Sequence, residues 1–569
     1  MRLRRNSTPS SPSIARRLIA NNPLLSILSS ALSKGSKSNQ PPSFPSSPSL
    51  PSIPKYIPVD IPEIPKFNPK RPVAKSSKRD SRGRRRSFNL ALTSSALVID
   101  QLDIGSVSIN ELPDHILLEI FDFYRVSSTT SQGHTAYTWP WKRLVHVCQK
   151  WRNLVFASPR RLDLRLFCDS RTPVRKSLEY WPSLPIIIRS TLTSTIFTLH
   201  DRENGENIVA ALEQRNRVCK VELKNLTSYL LNSFTEVMQE PFPALAGIFL
   251  SSHIDAEPVL PDKFLGGSAP KLQYFDLDGI SFAALPKLLL SATHLNRLQL
   301  RRIPCTGYIS PEAMATCLVA LSNLESLILE FQSPRSHPTR DSRPPSPLIR
   351  ASLPSLTAFE FQGVSEYLEG LVTHIDAPLL NRVTFRFFNQ LTFDNPQLSQ
   401  FIDRTEILKS LNLGSIEFLS DVVKTTFTSP VGRGKLELGI SCCRPDWQVS
   451  SMGQLCAQLP ALTSRVEQLD VRKGCISRAR WPEDMESAQW LELFDPFIVV
   501  ERLSILKLGQ LVVPALGELR GEMASNILPA MRSLLFKGLD ANTLKGDLKP
   551  FVSARRSSNH PISVRWGVK

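Results

Sequence analysis

The chain has 569 residues, 41% of them hydrophobic, and a formal net charge of +18. That length allows more than one domain, and the absence of any apolar run of about 18 residues excludes an expected transmembrane helix. The charge is uneven: residues 1–99 hold 18 Lys or Arg against 3 Asp or Glu, and the remaining residues hold 51 against 48.

The basic excess therefore belongs to a tail, and the rest of the chain offers no charge-based case for nucleic-acid binding. Residues 1–99 are rich in Ser and hold 14 of the 45 prolines, too little apolar surface to offset ordering entropy, so disorder is expected there. Two features stand out in this tail. Residues 1–32 carry arginines and no acid, which is also the composition of a mitochondrial transit peptide. Lys70 and Arg71, then Lys78 and Arg79, then Arg84, Arg85 and Arg86 form basic clusters with a short spacer. They resemble a bipartite nuclear import signal, which Ser81 and Ser87 would modulate if phosphorylated. The plain alternative is a solvated charge run. Nucleus or cytoplasm is the expected location.

Residues 105–160 organise the rest. Pro113 suits the start of a helix, and Glu111 and Asp114 suit its positive end. Ile116, Leu117, Ile120, Phe121 and Tyr124 then recur at helical spacing. A second helix is expected to carry Trp141, Leu144, Cys148, Trp151 and Val155 on one face, with Val147 and Leu154 beside them, and to stop at Ser158-Pro159. Cys148 reads as a small buried hydrophobe. Helices this short do not bury such faces alone, so they pack on the same chain or dock a partner. The order Leu112-Pro113, Ile120-Phe121, Leu144, Val147-Cys148 and Trp151-Arg152 resembles the F-box, over about fifty residues. Val126 to Thr138 departs from that family as a longer loop.

Residues 161–536 read as a repeat domain. Leu162, Leu164 and Leu166 alternate like a strand, and an apolar run ends at Ile186-Ile187-Ile188. The template apolar-x-x-apolar-x-apolar then fits Val218/Val221/Leu223, Leu245/Ile248/Leu250, Leu272/Phe275/Leu277 and Leu295/Leu298/Leu300. It fits again at Leu324/Leu327/Leu329, Leu356/Phe359/Phe361, Leu380/Val383/Phe385 and Leu408/Leu411/Leu413. Later copies are Val466/Leu469/Val471, Leu503/Leu506/Leu508 and Met531/Leu534/Phe536, and Leu436-Glu437-Leu438 reads as a decayed one. Residues 311–321, 364–375 and 486–494 look like helical returns. The pattern is similar to leucine-rich repeats, in degenerate form because the usual Asn or Cys after the last strand leucine is missing in most copies. The expected fold is thus α/β: a short helical F-box followed by a leucine-rich-like solenoid of parallel strands with outer helices. A coincidentally spaced α/β domain is the alternative. Residues 332–350, rich in Ser, Pro and Arg, read as a mobile insertion, and 537–569 as a cap or tail.

No His-Glu-x-x-His, Gly-x-Ser-x-Gly, Walker loop or zinc-spaced Cys/His cluster occurs, so no catalytic residue, metal or cofactor is expected. The scattered cysteines suit a reducing compartment. An F-box followed by such repeats resembles the substrate receptors of Skp–cullin–F-box ubiquitin ligases, in the layout of expanded fungal families. The resemblance implies a non-enzymatic subunit that contacts a Skp-type adaptor, and through it a cullin, with no membrane partner. It puts that contact on Leu112, Pro113, Ile116, Leu117, Ile120, Leu144, Val147, Cys148 and Trp151. Residues between the inward apolar positions are expected to face a protein target, among them Tyr274, Asp276, Arg297, Gln299, Glu325 and Ile328. A scaffold with an F-box and no ligase role is the alternative.

Overall fold

The computed structural model describes residues 109–130, 140–191, 199–253, 257–336, 350–390, 393–474, 486–538 and 541–567. The basic tail with Lys70, Arg71 and Arg84–Arg86, and most of the Ser/Pro-rich insertion, lie outside these residues.

Three helices open the described chain: α1 (Asp114–Thr130), α2 (Pro140–Leu144) and α3 (Gln149–Ala157). The expected second helix is therefore split in two. The break has a local cause. Cys148 is extended (φ −156°, ψ 170°), and its Sγ accepts the Trp151 N–H at 3.5 Å, capping α3. Cys148 is thus a half-buried cap as well as an apolar contact. The first helix is longer than expected and runs through residues assigned to the loop, as far as Thr130.

Strands β1 (Leu166–Cys168), β2 (Ile186–Thr191), β3 (Val218–Leu226), β4 (Gly247–Ser252), β5 (Tyr274–Asp278) and β6 (Arg297–Ile303) follow. Next come β7 (Ser326–Phe331), β8 (Ala351–Ser352), β9 (Ala358–Gly363), β10 (Ile375–Asp376) and β11 (Arg382–Phe387). The last seven are β12 (Leu413–Phe418), β13 (Val422–Thr428), β14 (Lys435–Ser441), β15 (Gln468–Lys473), β16 (Arg502–Leu506), β17 (Ser533–Lys537) and β18 (Ser563–Gly567). β8 and β10 pair with each other; the other sixteen form one mostly parallel sheet. The Leu162–Leu166 alternation is a turn, and only Leu166 enters β1.

Alternation explains why the sheet has two unlike faces. Phe275, Leu277, Leu298, Leu300, Leu327, Leu329, Phe359 and Phe361 are buried on one side, where the helices pack. Helices such as Ser365–His374 and Pro445–Ala457 supply Leu368, Leu371, Val449 and Met452 to that core. Successive strands enter the sheet through one repeated contact. The carbonyls of Ala246, Gln273, Asn296, Glu325 and Thr357 each accept two N–H groups from the start of the next strand. At these steps the contact satisfies the carbonyl and keeps the parallel register.

One stretch departs from the period. β14 pairs parallel with β11, then β13 and β12 run back antiparallel and parallel before β15. Leu436 and Leu438 are a true strand beside Val383 and Phe385, and not a decayed repeat in chain order. The triplet Leu503/Leu506/Leu508 is out of register: Leu503 and Ile505 oppose Leu469 and Val471, so the inward set there is Val500, Leu503 and Ile505. The triplet Leu408/Leu411/Leu413 is also out of register. Gly414 and Ile416 oppose Leu469 and Val471, so the inward set is Leu411, Gly414 and Ile416. A glycine stands at an inward position because a Cβ there would sit 3.1 Å from both Leu469 Cδ1 and Val466 Cγ1.

Residues beyond 537 add a helix (Ala541–Ser557) and the final parallel strand β18. Arg555 is fully buried in this segment, and its guanidinium donates to the carbonyls of Ala524, Ile527, Leu528, Pro529, Met531 and His560.

Candidate functional site

Two surfaces carry exposed chemistry. The first is on α1–α3. Leu117, Phe121, Leu144, Val145, Trp151 and Val155 are buried within the helices, and Phe121 lies 4.7 Å from the Trp151 ring. Trp141 anchors the group to the sheet: its Nε1 donates to Arg165 O at 3.2 Å, and its ring meets Trp181 edge-on at 5.3 Å. Arg161 also pairs with Glu119 of α1. Lys150 holds the entry segment by donating to Leu112 O at 3.2 Å. With one side of α1 used inward, Ile116, Ile120 and Phe123 line the other at i, i+4 and i+7. They are 38%, 40% and 76% exposed. Val147, in the turn between α2 and α3, is 59% exposed, and Pro113 is exposed at the head of α1.

The expected contact residues therefore divide. Pro113, Ile116, Ile120 and Val147 face outward; Leu112 and Cys148 are half-buried; Leu117, Leu144 and Trp151 are inside. Those last three hold the helices together and present no surface to a partner. Phe123 was missed, although its i+7 spacing from Ile116 puts it on the same stripe.

The second surface is the polar face of the sheet. In register across β5, β6 and β7, Tyr274, Arg297 and Ser326 form one row, and Asp276, Gln299 and Ile328 the next. The Arg297 guanidinium lies 6.0 Å from the Tyr274 ring centre, a cation–π distance. Arg301 Nη1 donates to Asp276 Oδ2 at 3.1 Å and to Gln299 Oε1 at 2.8 Å, and its Nε is 3.9 Å from Glu330. Arg302 pairs with Asp278 at 2.5 Å. Ile328, expected on this face, is only 5% exposed and does not contribute. Glu325 sits just before β7, exposed, where its carbonyl serves the strand-entry contact. Arg301 and Arg302 were missed because they follow the last inward leucine of the template.

Charge is crowded in this row. Burial pushes the Asp276 carboxyl up to about 6, with Asp278 and Glu330 adding to the rise and Arg301 opposing it. Glu330 is raised as well, again mainly by burial. An acid whose folded pKa exceeds its unfolded value is favoured when protonated, so stability is greatest below the unfolded pKa. It falls as pH rises through the window from about 4 to about 6, and the cost is fully present above that. Asp276→Asn is therefore expected to raise stability at pH 7 by roughly 1–2 kcal/mol. It should also flatten the loss between pH 4 and 6. Urea unfolding at pH 4, 5, 6 and 7 checks this; a destabilised variant at pH 7 would show that the Arg301 pairing outweighs burial.

Among the described residues, no group of three or more His, Cys, Asp or Glu is placed to hold a metal, and no helix is long and apolar enough to cross a membrane. No protein-family model matches the chain, and no curated protein is similar enough to match.

Proposed function

We propose that this chain is the substrate-recognition subunit of a Skp–cullin–F-box ubiquitin ligase. On this reading α1–α3 dock the adaptor, and the sheet with its helices is a leucine-rich-like solenoid that holds a protein target on its polar face. The observation that carries the reading is the outward stripe Ile116, Ile120 and Phe123 with Val147, set on helices whose other side is anchored to the sheet. Apolar side chains concentrated on one side of an anchored helix group suit the core of a protein interface. The polar face adds charged, amide and aromatic groups in fixed register, which suits recognition by oriented polar contacts. The chain itself then performs no chemistry. It raises the local concentration of a target's lysines near ubiquitin carried by other subunits.

Affinity purification of the full-length chain from cells with degradation blocked tests this. Recovery of a Skp-type adaptor together with a cullin is the expected result. Adaptor without cullin would favour the scaffold alternative, and neither would remove the reading.

A further inference from the structure

The sheet follows chain order along its large strands from β1 to β11 and again from β15 to β18. Between them the chain doubles back, and β14, β13 and β12 intervene. A cavity of about 520 Å³ lies at that place, lined by Gln362, Arg386, Asp421, Lys424, Glu437 and Gly439 among others. Gln362 and Arg386 are next to last in β9 and β11, so the cavity opens at the carboxyl ends of these strands. Its size falls in the range of binding pockets, roughly 300–1,000 Å³.

Gly439 forms part of its floor, opposite Arg386 on β11 and Lys424 on β13. Its backbone is an ordinary strand. An added Cβ would lie 3.4 Å from Arg386 Cγ and 3.7 Å from Val422 Cγ2, normal contacts. The fold therefore does not require glycine here, and what the missing side chain supplies is space.

The charges around that space are mostly used. Lys424 pairs with Glu417 at 3.1 Å, and Glu437 with Lys435 at 2.7 Å. Arg386 and Asp421 are left: neither forms a close ion pair among the described residues, although the Arg386 charge also opposes the rise at Glu330. Asp421 accepts the Ser420 hydroxyl at 3.1 Å, and Arg386 is exposed at the cavity wall.

We propose that this cavity seats a protein segment by one acidic side chain on the Arg386 guanidinium and one basic side chain on Asp421. The proposal deepens the receptor reading above and rests on it. A guanidinium takes a carboxylate in a two-point contact. A phosphate dianion fits less well, because Asp421 and Glu437 line the same space and repel the second negative charge. The occupant is thus an unphosphorylated segment with an Asp or Glu and, close by, a Lys or Arg.

Panning the full-length chain against a random peptide library tests it. The wild type is expected to select a consensus with one acidic and one basic residue. A synthetic peptide of that consensus should bind Arg386→Glu about tenfold more weakly or worse. Putting phosphoserine in place of the acid should weaken binding. Gly439→Leu, which keeps every charge but fills the floor, should block it. Absence of any consensus, a consensus without an acid, unchanged binding by Arg386→Glu, or stronger binding of the phosphoserine peptide would each overturn the proposal. Arg386 is exposed, so its variant decides the matter even if Gly439→Leu fails to fold. Adaptor recovery is measured in parallel. Arg386→Glu that keeps the adaptor but also keeps the peptide overturns the pocket alone. A wild type that never recovers the adaptor removes the ligase reading and leaves the peptide result standing.

Discussion

Ile116→Asp combined with Ile120→Asp is expected to abolish recovery of the Skp-type adaptor while leaving the unfolding transition near that of the wild type. The two side chains lie one turn apart on α1 and are more than a third exposed, so the fold does not depend on burying them. In an interface core each would be desolvated, and truncating such an anchor commonly costs about 2 kcal/mol or more. Two carboxylates in their place add the cost of burying unpaired charge, so a combined loss near 1,000-fold in affinity is a low estimate, at about 4 kcal/mol. Leu117→Asp is the informative contrast. Leu117 is fully buried in the same core as Phe121 and Val155, so that variant should lose both the adaptor and the fold of α1–α3. Circular dichroism and adaptor co-purification, read together, separate the two cases. Undiminished adaptor recovery by the double variant would sink the assignment of this stripe.

Arg555→Met should lower the stability of the full chain by roughly 3–5 kcal/mol, the usual cost of breaking a buried charged network from one side. Burial lowers the pKa of this guanidinium, yet an arginine so placed stays charged. Among the described residues no carboxylate pairs with it; the acceptors are the carbonyls between Ala524 and Met531 and that of His560. These carbonyls converge from one turn, and the Leu528 carbonyl also accepts the Met531 N–H. Methionine fills the volume but leaves several buried carbonyls unmatched, each worth about 1 kcal/mol. Arg555→Lys should recover little, because an ammonium cannot span the fork of acceptors. Urea unfolding gives the magnitude, and early proteolysis within residues 541–567 would place the damage. A methionine variant as stable as the wild type would mean that desolvating the cation already cancels its hydrogen bonds.

The two expectations differ in how far the sequence carried them. Period-three-and-two spacing of Leu272, Phe275 and Leu277, and of its later copies, placed most inward residues correctly, because alternation in a strand is a local property of the chain. The same local logic located α1 and α3. It placed Leu408/Leu411/Leu413 and Leu503/Leu506/Leu508 in the wrong register, the first because a glycine serves at Gly414 where the template demands a branched residue. Which apolar residues of α1 face out was equally illegible. Ile116 and Leu117 are neighbours with similar chemistry, and only tertiary packing decides that Leu117 turns inward while Ile116 stays exposed. Arg555 sat in a stretch that reads as a polar tail, since a guanidinium is buried only when distant carbonyls converge on it. The cavity over Gly439 depends on β11, β14 and β13 lying side by side out of chain order. Periodicity fixes which face a residue takes within its own strand; the order of strands, and therefore which charges meet, is set by long-range pairing that no local pattern encodes.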